Sequence, residues 1–167
     1  MDSNGMLGKI FLKELEAEAP ASRKCLERIP MDLSSWKPHE KSMQLGYLAL
    51  LVADIPRWIR AAAEIGEVDF ATWKQPEMKT TTELVNYFDE NMKAAGKALQ
   101  NTSDKTFSEM FYLKDGGQVL MSSTRGGTIG SSINHLVHHR GQLTVYMRLN
   151  NIPVPSIYGP SADERTF

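Results

Sequence analysis

Apolar residues recur at three- and four-residue spacing in four long stretches of the chain, which is typical of helices that bury one face. Ser42 is a candidate N-cap for the second stretch, and Gly66 is a candidate stop for it. Thr80, Thr81 or Thr82 can cap the third stretch. We therefore predict four long helices at about residues 3–28, 42–66, 80–101 and 124–150.

The hydrophobic period changes between the third and fourth predicted helices. Residues 107–113 and 119–122 have the pattern of two short strands, and they flank the turn sequence Asp115-Gly116-Gly117. Four long amphipathic helices with modest connections favour a four-helix bundle. The sequence therefore predicts one all-α domain over residues 1–167, with a short β-hairpin between helices 3 and 4.

The composition narrows the class of protein and its partners. A chain of 167 residues with 41% hydrophobic residues is long enough and apolar enough to bury one core. A net charge of −1 provides no basic surface for nucleic acid, and no apolar run is long enough to cross a membrane. Residues 1–5 lack the layout of a signal peptide and Cys25 is the single cysteine, so we expect a cytoplasmic protein without an internal disulfide.

Candidate chemistry lies in a cluster of histidines on the fourth predicted helix. His135 and His139 are spaced so that a helix places both side chains on one face, where two imidazoles can bind one metal ion. Gln142 and Tyr146 continue this face, whereas His138 points about 100° away from His139. The pattern predicts a metal site, and hydrogen bonds from carboxylates are the alternative way to satisfy two buried histidines.

The fourth predicted helix is apolar around most of its circumference, which is more than one core face requires. We expect the excess around Leu136, Leu143 and Met147 to pack against a second copy of the chain, since two-fold homodimers are the commonest oligomers. Gly141 would permit close approach of a neighbouring helix. Packing of this excess under the hairpin or the C-terminal tail is the alternative.

Three stretches of the sequence, at residues 36–43, 134–143 and 158–163, carry a family resemblance. They resemble the entry into helix 2, the fourth-helix signature and the C-terminal segment of the DinB-like family, which belongs to the DinB/YfiT-like metalloenzyme superfamily. The three stretches occur in the family's order and span most of the chain. The resemblance implies an up-down-down-up four-helix bundle that often forms homodimers.

The resemblance also implies a divalent metal, such as Ni, Zn, Fe or Mn, that is bound by three histidines. Two of these ligands match His135 and His139. The third belongs to helix 2, in a stretch that corresponds to residues 48–54 here, and its position is occupied by Leu51. Leucine cannot ligate a metal, so the predicted site is incomplete and its occupancy is open.

Three outcomes are open for this incomplete site. In the first, another side chain completes it; Glu18 is the leading candidate because it lies in the apolar stripe of helix 1, and His39 and Asp54 are further candidates. In the second, the histidine pair alone holds a metal weakly together with water. In the third, no metal binds and an apolar pocket remains. The residues predicted to line the site are Trp58, Gln142 and Tyr146.

Two functions are compatible with these features. The first is a divalent-metal-dependent enzyme, and the resemblance implies a thiol-dependent transferase or isomerase, or a hydrolase, acting on a small molecule or a low-molecular-weight thiol. The alternative is a non-catalytic, stress-associated binding or structural homodimer that holds metal weakly or not at all. The sequence identifies no catalytic residue, because it contains no recognisable nucleophile–base–acid order and no glycine-rich phosphate loop.

Overall fold

The computed structural model describes residues 5–165, so the predicted helix start at Ser3 lies outside the described residues. Within the described range, no helix combines the length and the hydrophobicity that a membrane crossing requires. The helices are α1 (Met6–Glu27), α2 (Leu45–Glu64), α3 (Thr81–Asn101), α4 (Asp104–Phe107) and α5 (Arg125–Leu149), and the strands are β1 (Glu67–Asp69), β2 (Met110–Asp115) and β3 (Gln118–Thr124).

Two of the long helices begin after a capping threonine, and one of these, Thr80, is among the predicted caps. Thr80 caps α3 through a capping box, in which its hydroxyl accepts from the Glu83 amide and the Glu83 carboxylate accepts from the Thr80 amide. Thr124 caps α5 by accepting from the Gly127 amide. Local hydrogen bonding therefore sets these two helix starts.

The predicted N-cap at Ser42 is wrong, because α2 begins at Leu45 after Gln44, which provides no side-chain cap. The preceding loop supplies the missing acceptors. The Leu45 amide donates to the Trp36 carbonyl at 2.7 Å, and the Gly46 amide donates to the Ser34 carbonyl at 2.9 Å. Backbone carbonyls thus satisfy the first N–H groups of the helix, which removes the need for a capping side chain.

The four long helices form the bundle in which α1 and α2 each pack against both α3 and α5. Arg125, at the start of α5, donates to the carbonyl of Ala63, at the end of α2, so these helices are antiparallel. Thr81, at the start of α3, donates to the carbonyl of Ile29, just beyond the end of α1, so this pair is antiparallel too. Phe11 contacts the start of α5, so α1 and α5 are parallel. These directions confirm the up-down-down-up path.

The predicted hairpin exists, with corrected bounds and an additional strand. The first strand was predicted to begin at residue 107, but residues 104–107 form the short helix α4 instead. The Ser103 hydroxyl caps the start of α4. β2 and β3 are antiparallel and turn at Gly116 and Gly117, which have φ values of 57° and 84°. The unpredicted strand β1 pairs in parallel with β2. A strand as short as β1 exists only because a distant partner pairs with it, so no local pattern indicates it.

One carboxylate ties this small sheet together. Asp69, at the end of β1, accepts from the backbone amides of Gly116 and Gly117 at 2.9 and 2.8 Å, and also from that of Ala71. The Ala71 amide, followed by the Gly117 amide, holds the pKa of the Asp69 carboxyl below its ordinary value. The hairpin turn is thereby attached to the connection that follows α2.

The prediction that α5 presents an unused apolar face around Leu136, Leu143 and Met147 is wrong. All three side chains are fully buried within one copy of the chain. The physical reason is that α5 packs against both α1 and α2, so its core surface covers more of its circumference than one partner helix would need. Gly141 lies on the exposed side, and a homodimer stays a prediction.

We expect opposite effects when the helical glycines Gly8 and Gly141 are each replaced by alanine. A Cβ at Gly8 would collide with the backbone carbonyl of Leu99 in α3, whereas a Cβ at Gly141 would meet nothing within 4 Å. Gly8→Ala should reduce the free energy of unfolding by about 1–3 kcal/mol through overpacking. Gly141→Ala should raise it by roughly 0.5–1 kcal/mol, because alanine favours the helix. Denaturant unfolding followed by circular dichroism measures both, and a stabilising Gly8→Ala would contradict the tight α1–α3 contact.

Candidate metal centre

His135 and His139 face each other on consecutive turns of α5. Their Nε2 atoms are 2.6 Å apart, and the ring centroids are separated by 4.3 Å. His139 is buried, whereas His135 is exposed along one side. The third clustered histidine, His138, is exposed and packs edge-on against the His139 ring. The helix therefore brings together two imidazole nitrogens at one point, as the spacing predicts.

Gln142 determines which nitrogen of His139 carries the hydrogen. Its Oε1 lies 2.7 Å from Nδ1 of His139, and a carbonyl oxygen can only accept, so Nδ1–H is the donor. The Nε2 atom of a neutral His139 then presents a lone pair towards His135. The hydrogen between the two Nε2 atoms consequently belongs to His135. Gln142 thus holds His139 in the tautomer that a metal ligand needs.

Both imidazoles are biased towards the neutral form. Burial lowers the pKa of His135, and the nearby His139 and His138 lower it further, because two adjacent positive charges would repel. Burial likewise lowers the pKa of His139, against an opposing contribution from the hydrogen bond with Gln142. Neutral imidazole is the form that binds metal ions, so His139 is ligand-competent at neutral pH, and His135 becomes so when its hydrogen moves from Nε2 to Nδ1.

The two histidines have no third protein ligand beside them. Residues 5–165 contain no group of three or more His, Cys, Asp or Glu side chains arranged to hold a metal ion. The Arg125–Ala63 hydrogen bond joins the start of α5 to the end of the antiparallel helix α2. Twelve residues away from this contact, α2 reaches Leu51 and α5 reaches Val137, which lies between the two histidines. Leu51 therefore lies at about the height of the histidine pair, half-buried against the core. The donor set suits a transition-metal ion held by two neutral nitrogens, with the other positions left to water or substrate.

Glu18, the leading candidate for an additional ligand, is engaged elsewhere. Its carboxylate pairs with the guanidinium of Arg140, at 2.6 Å, and accepts from the Tyr158 hydroxyl at 2.8 Å. The Arg140 side chain is 1% exposed, and it also donates to the Glu18 carbonyl and to the Ser22 hydroxyl. A buried guanidinium needs a carboxylate partner, so the place of Glu18 in the apolar stripe is explained by Arg140.

Asp54 is also engaged away from the histidine pair. It is fully buried and accepts from the hydroxyl of Tyr87, the indole N–H of Trp73, and the amide of Gln75. Arg57 lies 3.5 Å from the same carboxylate and stacks over the Trp73 ring. Asp54 thus anchors the connection between β1 and α3 to the side of α2.

His39 and Tyr146, which were also predicted to belong to the site, contact other groups. His39 is exposed in its loop, where its Nδ1 accepts from the Lys41 amide at 3.2 Å. Tyr146 packs edge-on against Trp36, with ring centroids 5.5 Å apart. Cys25 is buried in the core, and burial raises the pKa of its thiol to about 11, so it is not a thiolate at neutral pH.

An apolar cavity of about 500 Å³ adjoins the histidine pair, with His135 in its wall. Trp58, a sequence candidate, lines this cavity from α2. The other apolar lining residues come from the sheet region, which sequence reasoning did not connect to the site, because only the folded hairpin brings them next to α5. They are Phe70, Phe111, Leu113 and Met121.

Comparison with known proteins agrees with this architecture. The DinB family model matches residues 1–166, which is nearly the whole chain. The chain belongs to the DinB family. Its match to this family, rather than the presence of a complete three-histidine site, is what identifies it.

Individual relatives of this DinB family protein extend the comparison. It is 26% identical, over 163 residues, to the uncharacterized protein YrdA of Bacillus subtilis strain 168, covering 92% of this chain and 89% of YrdA. A crystal structure of a DinB-like protein from Bacillus cereus ATCC 10987 matches with a TM-score of 0.70 at 23% identity, covering 90% of this chain and 97% of that one. The DinB-like protein YjoA from Bacillus subtilis matches with a TM-score of 0.68 at 16% identity, covering 94% and 99%. At these identities the structural matches show the fold alone.

Glu18→Ala should destabilise the fold without weakening metal binding. Removing the carboxylate leaves Arg140 buried without its ion-pair partner, which should reduce the free energy of unfolding by about 3 kcal/mol. Glu16→Ala, an exposed position on the same helix, is the matched control and should change it little. Denaturant unfolding and titration with Ni²⁺ measure the two properties. A tenfold loss of Ni²⁺ affinity in Glu18→Ala alone would instead identify Glu18 as a ligand.

Proposed function

We propose that this DinB family protein binds one divalent transition-metal ion through His135 and His139 and acts on a small molecule held in the adjacent cavity. The observation that carries the proposal is the convergence of two Nε2 atoms, one of them with its lone pair set by Gln142. The lowered pKa values of both imidazoles add support, because protons compete less for the ligand nitrogens.

A divalent ion held at this pair supplies Lewis acidity, which polarises a carbonyl or lowers the pKa of a water or thiol that reaches it. The chain's own residues provide the surroundings. Gln142 orients His139, and the cavity wall brings a bound molecule next to His135. We propose a thiol-dependent transfer or isomerisation, or a hydrolysis, as the class of reaction, with a low-molecular-weight thiol as the co-substrate of the first two.

A second candidate function is metal-free binding of a small molecule, without catalysis. The observation in its favour is Leu51, which puts an apolar side chain at the height where a third ligand would lie, together with the absence of a three-ligand cluster in residues 5–165. Catalytic zinc sites usually have three protein ligands, so a two-histidine site binds more weakly. The metal content of the protein separates the two candidates.

Replacing either histidine of the pair should abolish or strongly weaken metal binding. We expect His135→Ala and His139→Ala each to lower the affinity for Ni²⁺ and Zn²⁺ at least tenfold, about 1.4 kcal/mol, because each removes one of two protein ligands. His138→Ala is the matched control, since this neighbouring imidazole is exposed and outside the pair. Calorimetric titration of protein without a histidine tag measures the affinities, and elemental analysis measures the stoichiometry.

Two results would reject the metal proposal. One is a metal content below about 0.1 equivalent per chain after loading with nickel, zinc and manganese in separate experiments. Several ions are tested because their intrinsic affinities for nitrogen ligands differ. The other is equal loss of affinity in His138→Ala and His135→Ala, which would indicate unspecific binding to surface imidazoles. Either result would favour the metal-free binding function.

Leu51→His should complete the site and raise metal affinity at least tenfold, about 1.4 kcal/mol. The substitution adds a third neutral nitrogen at the height of His135 and His139. Leu50→His is the matched control, because it places the same imidazole on α2 about 100° around the helix. Calorimetric titration with Zn²⁺ measures both variants, and circular dichroism verifies their folding. Unchanged affinity in a folded Leu51→His variant would show that the position does not face the pair.

A further inference from the structure

The cavity beside His135 is lined by four parts of the fold. Trp58 belongs to α2, Phe70 follows β1, and Phe111 and Met121 belong to the hairpin, while the N-terminal half of α5 closes the remaining side. Its volume of about 500 Å³ lies in the range of small-molecule sites. The cavity is therefore large enough for an organic molecule, well beyond a few water molecules.

The lining contains no acidic side chain and no lysine or arginine. None of the cavity-lining residues in the described chain is Lys, Arg, Asp or Glu, and His135 is the one histidine among them. Outside the lining, Lys114 of β2 pairs with Glu67, and Arg125 at the start of α5 pairs with Glu109. In the chain without metal, a charged ligand would lose its hydration without gaining a counter-charge from these side chains, so the lining favours an uncharged ligand.

The walls favour a flat aromatic body. Trp58 and Phe70 pack with ring centroids 5.9 Å apart and a tilt of 59°, and Phe111 adds a third ring. Phe70 and Met121 are 44% and 51% exposed, which is high for large apolar side chains beside a cavity. A ligand that covers them removes apolar surface from water, and aromatic rings gain additional energy from offset or edge contacts.

Polar atoms are concentrated along α5. The Ser123 hydroxyl bonds to that of Thr128, and the Ser132 hydroxyl donates to the Thr128 carbonyl, so these groups are already used. Within residues 5–165, the Ser131 hydroxyl makes no hydrogen bond, and Nδ1 of His135 makes none either. The buried indole N–H of Trp58, on α2, also has no partner. Of these three unused groups, the Ser131 hydroxyl and the His135 ring nitrogen lie next to the histidine pair.

We infer that this cavity binds a small, uncharged aromatic molecule with one hydrogen-bonding group, which lies at Ser131 and His135. The inference names the substrate class of the proposed function and rests on that function for its catalytic meaning. Binding itself requires only the cavity. The orientation brings the polar group of the ligand to the histidine pair and its aromatic body between α2 and the hairpin.

Two fluorescent probes that differ by one charged group test the ligand class. N-phenyl-1-naphthylamine is uncharged and has one N–H, and 1-anilinonaphthalene-8-sulfonate is the same molecule with an added sulfonate. We expect saturable one-to-one binding of the uncharged probe, with at least tenfold lower affinity for the sulfonate. Equal or reversed affinities, or a signal that does not saturate, would overturn the inference.

Substitutions locate the bound probe. Ser131→Phe fills the cavity from an exposed position of α5 and should weaken binding of the uncharged probe at least tenfold. Val145→Phe places the same ring on the exposed side of α5, fourteen residues along, and should leave binding unchanged. Met121→Lys adds a positive charge at the cavity wall and should shift the preference towards the sulfonate. Unchanged binding in a folded Ser131→Phe variant, or no shift in folded Met121→Lys, would place the probe elsewhere and overturn the inference.

The same titrations separate this inference from the metal proposal. His139→Ala removes one of the proposed metal ligands but no cavity-lining residue, so it should lose Ni²⁺ affinity and keep the uncharged probe. Addition of EDTA to the native chain should likewise leave probe binding intact. Probe binding without metal binding would reject the proposed metal function alone, and metal binding without probe binding would reject the cavity inference alone.

Discussion

Burial of α5 against both α1 and α2 holds the bundle together and positions the histidine pair. Leu136, Leu143 and Met147 are fully excluded from solvent, so a single helix provides core surface towards two neighbours. His139 lies on the buried part of this helix and His135 lies one turn earlier, at the cavity. Because packing holds the helix on two sides, the two imidazoles keep their relative position without needing a bound ion.

The carboxylates of the core are committed to other partners, and this shapes the chemistry of the histidine pair. Glu18 pairs with Arg140. Asp54 accepts hydrogen bonds from Trp73, in the connection that follows β1, and from Tyr87 of α3. The pair therefore consists of neutral nitrogen donors beside an uncharged cavity. In the proposed metal centre, two protein ligands leave positions open to substrate, one ligand fewer than the three that catalytic zinc sites usually have.

How far the sequence predicted the structure depends on how local each signal is. The helices from Thr80 and Thr124 follow from a hydrophobic period and a capping side chain, both contained within a few residues. The start of α2 did not follow, because carbonyls of the preceding loop replace a cap. β1 was missed because its three residues form a strand only through pairing with β2, far along the chain.

Backbone preferences and helical periodicity are enough to predict the four helices, the turn at Gly116 and Gly117, and the one-face spacing of His135 and His139. The pairing of Glu18 with Arg140 and the cavity between the hairpin and α5 are visible only in the folded chain. Partners distant in sequence are selected by packing and by the need to compensate buried charge. Both are properties of the assembled core and not of any one segment.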